Sequence, residues 1–143
     1  MGTTEARAPA VAILAALLFA GCEKPPTRVA VYPAGGALAH QNKPAVGAIV
    51  ILHPIDPAAA PVKPRGKVGA DGTFRLTTYD TGDGAPAGEY AVAVYWPKQP
   101  PPGQPVTDDG PDQLGGKYLD PKAPLARVTV RPGDNALDPL SIK

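Results

Sequence analysis

From residue 28 onward, apolar and polar side chains alternate in short runs separated by proline and glycine, the period of a half-buried β-strand. Arg28–Tyr32 opens the series with Val29 and Val31 on one face; Gly35 and Gly36 break it, and Ala37–His40 resumes it after a bulge. Ile49–His53 is apolar almost throughout, which predicts a strand covered on both faces. Pro54–Pro64 holds four prolines and is excluded from a sheet interior, because proline has no N–H to give the ladder. Arg65–Gly69, Ala70-Asp71-Gly72 and Thr73–Thr78 predict a β-hairpin, since Asp-Gly accepts the positive φ of a tight turn. In its second arm Phe74, Leu76 and Thr78 alternate with Thr73, Arg75 and Thr77.

The pattern continues after the Gly/Asp-rich loop Tyr79–Gly88. Glu89–Trp96 sets Tyr90, Val92 and Val94 on one face and Ala91, Ala93 and Tyr95 on the other, and Pro97 ends it. Pro97–Gly116 carries five further prolines, four glycines and three aspartates without apolar periodicity. A connection of that length is functional, mobile or both. Leu125–Arg131 sets Ala126, Val128 and Val130 against Arg127, Thr129 and Arg131. After Pro132-Gly133-Asp134, Asn135–Lys143 supplies a last strand with Leu140 and Ile142 inward. No apolar run repeats at 3.6 after residue 21, so the expected fold is all-β, an antiparallel β-sandwich of about six or seven short strands.

The N-terminal end has a different pattern. Ala8–Ala20 is an apolar run of 13 residues, short of the ~20 that cross a bilayer as a helix. Glu5 and Arg7 precede it, and Ala20-Gly21 leads into Cys22, the only cysteine. These are the parts of a secretory signal. The same end resembles a bacterial lipoprotein signal, in which the cysteine thiol is acylated and becomes the first residue of the mature chain. Phe19 stands three places before the cysteine, where leucine is usual. The resemblance implies a signal peptide, a helix, over 1–21, palmitate-type acyl chains on Cys22, a tether over 22–27 and a domain over 28–143. An ordinary cleaved signal is the alternative. Glu23 follows the cysteine where aspartate resembles an inner-membrane retention signal, so outer-membrane delivery is expected, with the domain facing the periplasm or the exterior.

Composition narrows the classes. Removing residues 1–21 from 143 leaves 122, enough for one domain. Glu5 and Arg7 leave together, so the net charge stays at +1. No Lys/Arg stripe interleaves with aromatics, which excludes a nucleic-acid footprint. With no second cysteine, no internal disulfide staples the domain. Twenty prolines and 16 glycines cluster between the strand-like runs, where turns belong.

Three segments in order carry a second resemblance: Pro44-Ala45-Val46-Gly47-Ala48, Ala70-Asp71-Gly72-Thr73-Phe74-Arg75-Leu76, and Gly88-Glu89-Tyr90-Ala91-Val92. Together they resemble the carboxypeptidase-regulatory-like, or transthyretin-like, domain, from about Arg28 to Lys143. The resemblance implies a seven-strand sandwich in a small lipoprotein whose mature part is this one domain. It implies a role in display, adhesion or ligand contact and supplies no catalytic residues.

Candidate chemistry is sparse. Ser141 is the only serine, and His40 and His53 are the only histidines. A Ser-His-Asp arrangement would need Ser141 beside one of them, and nothing in the spacing provides it. His53 is read as ending a buried strand and His40 as lying in a loop. Two histidines without ligand spacing do not make a zinc site, and no cofactor is implied. Asp80, Asp83, Asp108, Asp109 and Asp112 offer oxygen ligands for calcium, but aspartate in such loops is explained by turn chemistry. Asn135 and Glu89 suggest an isopeptide bond, yet Arg28 stands where the lysine is needed. Tyr95 and Trp96 end a strand at the mouth of the long loop, and Tyr118 follows it. Such aromatics bind sugars or extended peptides, or they simply cover the core. Pro100-Pro101-Pro102 adopts extended polyproline geometry, as a partner's ligand or a stiff spacer. The function expected is a non-catalytic, lipid-anchored envelope module contacting an envelope protein through the 97–118 loop. The alternative is a carbohydrate-binding module using Trp96, Tyr95 and Tyr118.

Overall fold

The computed structural model describes residues 27–143 and, in the N-terminal segment, Gly2 alone. Cys22, the signal over 1–21 and tether residues 22–26 lie outside the described residues. Among the described residues the chain is all-β, with no helix and two sheets rich in antiparallel pairs.

The spine of the first sheet is β1 (Ala34–His40). Its partner β2 (Lys43–Pro44) returns through a two-residue turn. Gln41 and Asn42 occupy that turn with φ of 51° and 63°, matching the twist of a tight hairpin. In the second sheet, β3 (Ile49–Pro54) lies between β4 (Arg65–Lys67) and β6 (Gly88–Tyr95), and β7 (Ala126–Val130) flanks β6, all antiparallel. β5 (Thr73–Arg75) returns to β1 antiparallel. The last strands, β8 (Asn135–Ala136) and β9 (Leu140–Ile142), run parallel to β1 along its other edge.

Alternation delivers the core. Leu38, Phe74, Leu76, Leu140 and Ile142 on the first layer meet Val50, Leu52, Tyr90, Val92, Val94 and Val130 on the second in one buried cluster. Each aliphatic or aromatic side chain so buried contributes roughly 1.5–3 kcal/mol from apolar burial. With no disulfide available, that packing carries the fold.

Four expectations need correction. Arg28–Tyr32 is not a strand, and the glycine pair does not break one: β1 runs through Gly35 and Gly36. A Cβ on Gly35 would sit 2.6 Å from the Phe74 carbonyl oxygen, and one on Gly36 3.1 Å from the Phe74 ring. The bare backbone is what lets β5 approach. His40 is the last residue of β1 rather than a loop residue. Ile49 and Ile51 are half-buried while Val50 and Leu52 are fully buried, so β3 is covered on one face and partly open on the other. The expected final strand is split before Leu140 and pairs parallel, because the turn at 131–134 returns the chain along β1 in β1's own direction.

The predicted hairpin forms, but its arms belong to different sheets. Arg65 and Thr77 exchange backbone hydrogen bonds of 3.1 and 2.8 Å, and the Gly69 N–H donates to Thr73 at 2.8 Å. Gly72 takes φ 83° in its turn. The hairpin thus joins the two layers at one side.

The two-sheet domain also has two distinct ends. Tyr32, just before β1, exchanges backbone hydrogen bonds of 2.9 and 3.0 Å with Ala85, just before β6. At the other end the His40 and Trp96 rings meet edge to face at 5.5 Å. β1 and β6 therefore run the same way, and the eight residues of β6 span roughly 25 Å. Chain residues 27–32 lie at the near end; the 97–118 loop springs from the far end.

Candidate functional site

The far-end loop is fastened at its base. Pro97 bridges Asp112, the Lys98 N–H donates to Pro111 at 2.9 Å, and the Gln113 N–H donates to Trp96 at 2.7 Å. Asp112 holds the junction together. Its Oδ1 accepts the N–H of Trp96 at 2.9 Å and of Leu114 at 3.2 Å, and its Oδ2 accepts the N–H of Gly116 at 2.8 Å. Three backbone donors that the loop would otherwise leave unpaired converge on one charge, the strong form of a hydrogen bond. The Val94 N–H donates to the Tyr118 carbonyl at 2.9 Å and secures the returning chain. Between these fastenings, residues 101–109 are exposed. The long connection is thus a zipped base with an open tip.

The three aromatics do not share one face. Consecutive strand positions point to opposite sides, and Tyr95 and Trp96 follow that rule. Tyr95 lies on the outer face of the second sheet, its hydroxyl donating to the Gly110 carbonyl. Trp96 packs against the core, and its indole N–H donates to the Val46 carbonyl at 2.9 Å. Tyr118 is buried, and its hydroxyl donates to the Lys143 carbonyl at 3.1 Å. The Lys117 ammonium lies 5.0 Å from its ring centroid, and that neighbour holds the phenol below its ordinary pKa. All three polar tips are satisfied within the fold.

The aspartate-rich loops show turn chemistry. Asp83 accepts the backbone N–H groups of Thr78, Tyr79 and Asp80 at 2.7–2.9 Å. Desolvation pushes its pKa up, but these three donors outweigh that and hold it below the usual carboxylate range. Among the described residues no group of three or more acidic, histidine or cysteine side chains converges on one point. Asn135 clamps its own turn, accepting the Arg131 N–H at 2.9 Å and donating to the Arg131 carbonyl at 2.8 Å. Ser141 pairs with Ala39, whereas His40 pairs with Ile142. Successive residues alternate across the sheet, so Ser141 and His40 point to opposite faces.

Sequence reasoning missed the outer face of the second sheet. Ile49 stands between Lys67 and Tyr95 in register, and Ile51 stands beside Arg65. With Arg75, Thr77, Asp108 and Asp109 they line an open depression of about 860 Å³. The loop reaches into it, because the Lys67 ammonium holds the Asp108 carboxylate at 2.5 Å. Arg65 and Arg75 pair with no carboxylate among the described residues. The signal available was Arg65 and Lys67 two apart in a strand candidate, but nothing local said that β4 would lie beside Ile49 and Ile51.

Comparisons with protein-family models, curated proteins and solved structures found no match for this chain.

Proposed function

We propose that the chain is a non-catalytic, lipid-anchored interaction module of the bacterial cell envelope, presenting its 97–118 loop to a protein partner. The single observation that carries this reading is the separation of the two ends. The chain enters the domain at residues 27–32, and the loop springs from the opposite end of β6. Five residues separate Cys22 from Arg28, so the six steps between them reach at most about 20 Å. An acyl anchor at Cys22 would therefore hold the near end close to the bilayer and direct the loop away from it. The two-layer all-β architecture supports a transthyretin-like sandwich as the scaffold, and the Asp112 fastening supplies loop ends of fixed position.

Outer-membrane attachment through two or more acyl chains gives a stable anchor, where one chain binds only marginally. The test is in-cell photo-crosslinking from position 106, whose valine is 69% exposed, against the same probe at Asp80 beside Arg28. Mass spectrometry of Cys22 accompanies it. Acylated Cys22 with a dominant protein adduct from position 106 and none from position 80 is expected. An unmodified Cys22, or equal adducts from both ends, refutes the reading. A carbohydrate-binding role for Trp96, Tyr95 and Tyr118 has less support, because each is tied into the fold by its own hydrogen bond.

A further inference from the structure

We propose that the depression on the outer face of the second sheet is a docking groove for an extended acidic segment of a partner protein, and that Asp108 is the internal occupant this segment displaces. The inference deepens the preceding reading and rests on it only in taking the partner to be a protein; it requires no anchor. Three observations carry it. The floor is aliphatic: Ile49 and Ile51 are half-buried and point outward, with Tyr95 at one end. The wall is cationic: Arg65 and Lys67 stand directly beside Ile51 and Ile49 in register, and Arg75 joins them from the first sheet. The third is that the chain already seats an acidic stretch there, because Asp108 and Asp109 line the groove and Asp108 is held by Lys67 at 2.5 Å.

Spacing selects the occupant. Ile49 and Ile51 are two residues apart on one strand, as are Arg65 and Lys67 on its neighbour. Each pair repeats at about 6.5–7 Å, the distance between same-face side chains of any extended chain. An extended segment alternating apolar and acidic residues, lying edge-on along the groove, sets its apolar row to the isoleucine side and its acidic row to the side of the longer Arg65 and Lys67 side chains. The guanidinium groups of Arg65 and Arg75 offer planar forks suited to carboxylates. Branched aliphatic floor residues favour side-chain methyl groups over sugar rings, which stack on aromatic faces. Lys67 is occupied by Asp108, so partner binding and release of the loop tip are one exchange: one carboxylate leaves the ammonium as another arrives. The groove therefore couples the sheet face to the loop.

The experiment measures binding of a capped eight-residue peptide alternating valine and glutamate to the purified full-length protein in detergent, by fluorescence anisotropy. The same peptide with lysine for glutamate and vesicles of phosphatidylglycerol serve as comparison probes. Binding of the acidic peptide that weakens as salt rises, as expected for surface charge pairing, supports the groove. Arg65→Ala with Arg75→Ala, both at exposed positions, should weaken it about tenfold, while Arg131→Ala on the remote turn leaves it unchanged. Asp108→Asn should tighten it about two- to fivefold, the range an exposed ion pair supplies. Equal affinity for the lysine peptide overturns the proposal, as does binding of vesicles but not peptide. An Asp108→Asn variant that binds no more tightly overturns the exchange. Failure here leaves the crosslinking result from position 106 untouched, so the two readings fall separately.

Discussion

Raising the pH tests the buried core between the two sheets through Tyr90. This side chain is fully buried in β6, and its hydroxyl donates to the Pro86 carbonyl at 2.7 Å. Burial pushes its pKa up from 10.0 to about 12. The unfolded chain gives up this proton near the ordinary value, whereas the folded chain retains it. Stability is therefore fully present below about pH 10 and is lost as pH rises toward and through about 12. Each pKa unit corresponds to about 1.4 kcal/mol, so the full loss approaches 2–3 kcal/mol, roughly. Tyr90→Phe removes the titration but leaves the Pro86 carbonyl without its donor, at a cost of about 1–1.5 kcal/mol near neutral pH. The two effects oppose each other. Wild type should be the more stable protein below about pH 10, the curves should cross near pH 11, and the variant should lead by about 1 kcal/mol at pH 12. Urea unfolding from about pH 8 to pH 12, read by the fluorescence of Trp96, measures both curves. Subtracting one from the other cancels the lysines and the remaining tyrosines, which titrate in both proteins. A gap that stays constant across this range refutes the reasoning, because Tyr90 would then ionise alike in both states.

Asp112→Ala strips the acceptor from the N–H groups of Trp96, Leu114 and Gly116. It should cost about 2–4 kcal/mol in urea unfolding and open residues 98–116 to protease. Asp112→Asn keeps one acceptor oxygen and should cost about half as much. Gly84 has φ 102°, and a Cβ there would lie 1.7 Å from the Tyr32 carbonyl oxygen. Gly84→Ala should abolish the folded state in circular dichroism, while Gly103→Ala, at φ 93° with open space around it, should cost about 1 kcal/mol. Asp83 titrates below the usual carboxylate range, so its contribution is present above that range and is lost as pH falls through its depressed value. Asp83→Asn should flatten the acid limb of the stability curve; an unaltered limb would show that the three backbone donors do not hold the charge.

The loop and the groove beneath it form one physical system. Asp112 fixes where the loop leaves the far end, and the Tyr95 hydroxyl and Lys67 draw the 108–110 stretch down over the second sheet. A partner that engaged the loop, as proposed, would meet the Ile49 and Ile51 face as well. The near end is built separately: Arg28 lies 4.9 Å from the Tyr79 ring centroid and pairs with Asp80 at 3.3 Å. Both groups of that pair are exposed, so it contributes little beyond orienting the first described residues.

By itself the sequence determined the all-β class, the inward row of Tyr90, Val92 and Val94, and the Asp-Gly turn, because period two and turn chemistry are local properties of the chain. It also determined that Asp83 and Asp112 sit in turn-rich segments, though not which N–H groups they collect. Only the tertiary structure decided that Gly35 and Gly36 lie inside β1, since their need for a bare backbone comes from Phe74 in another strand. Only it placed β8 and β9 parallel to β1, divided the 65–78 hairpin between two sheets and set Arg65 and Lys67 beside the isoleucines. Alternation says which side chains share a face of one strand. Which strand lies next to it depends on backbone approach over long sequence separation, and the groove exists only once that neighbour is chosen.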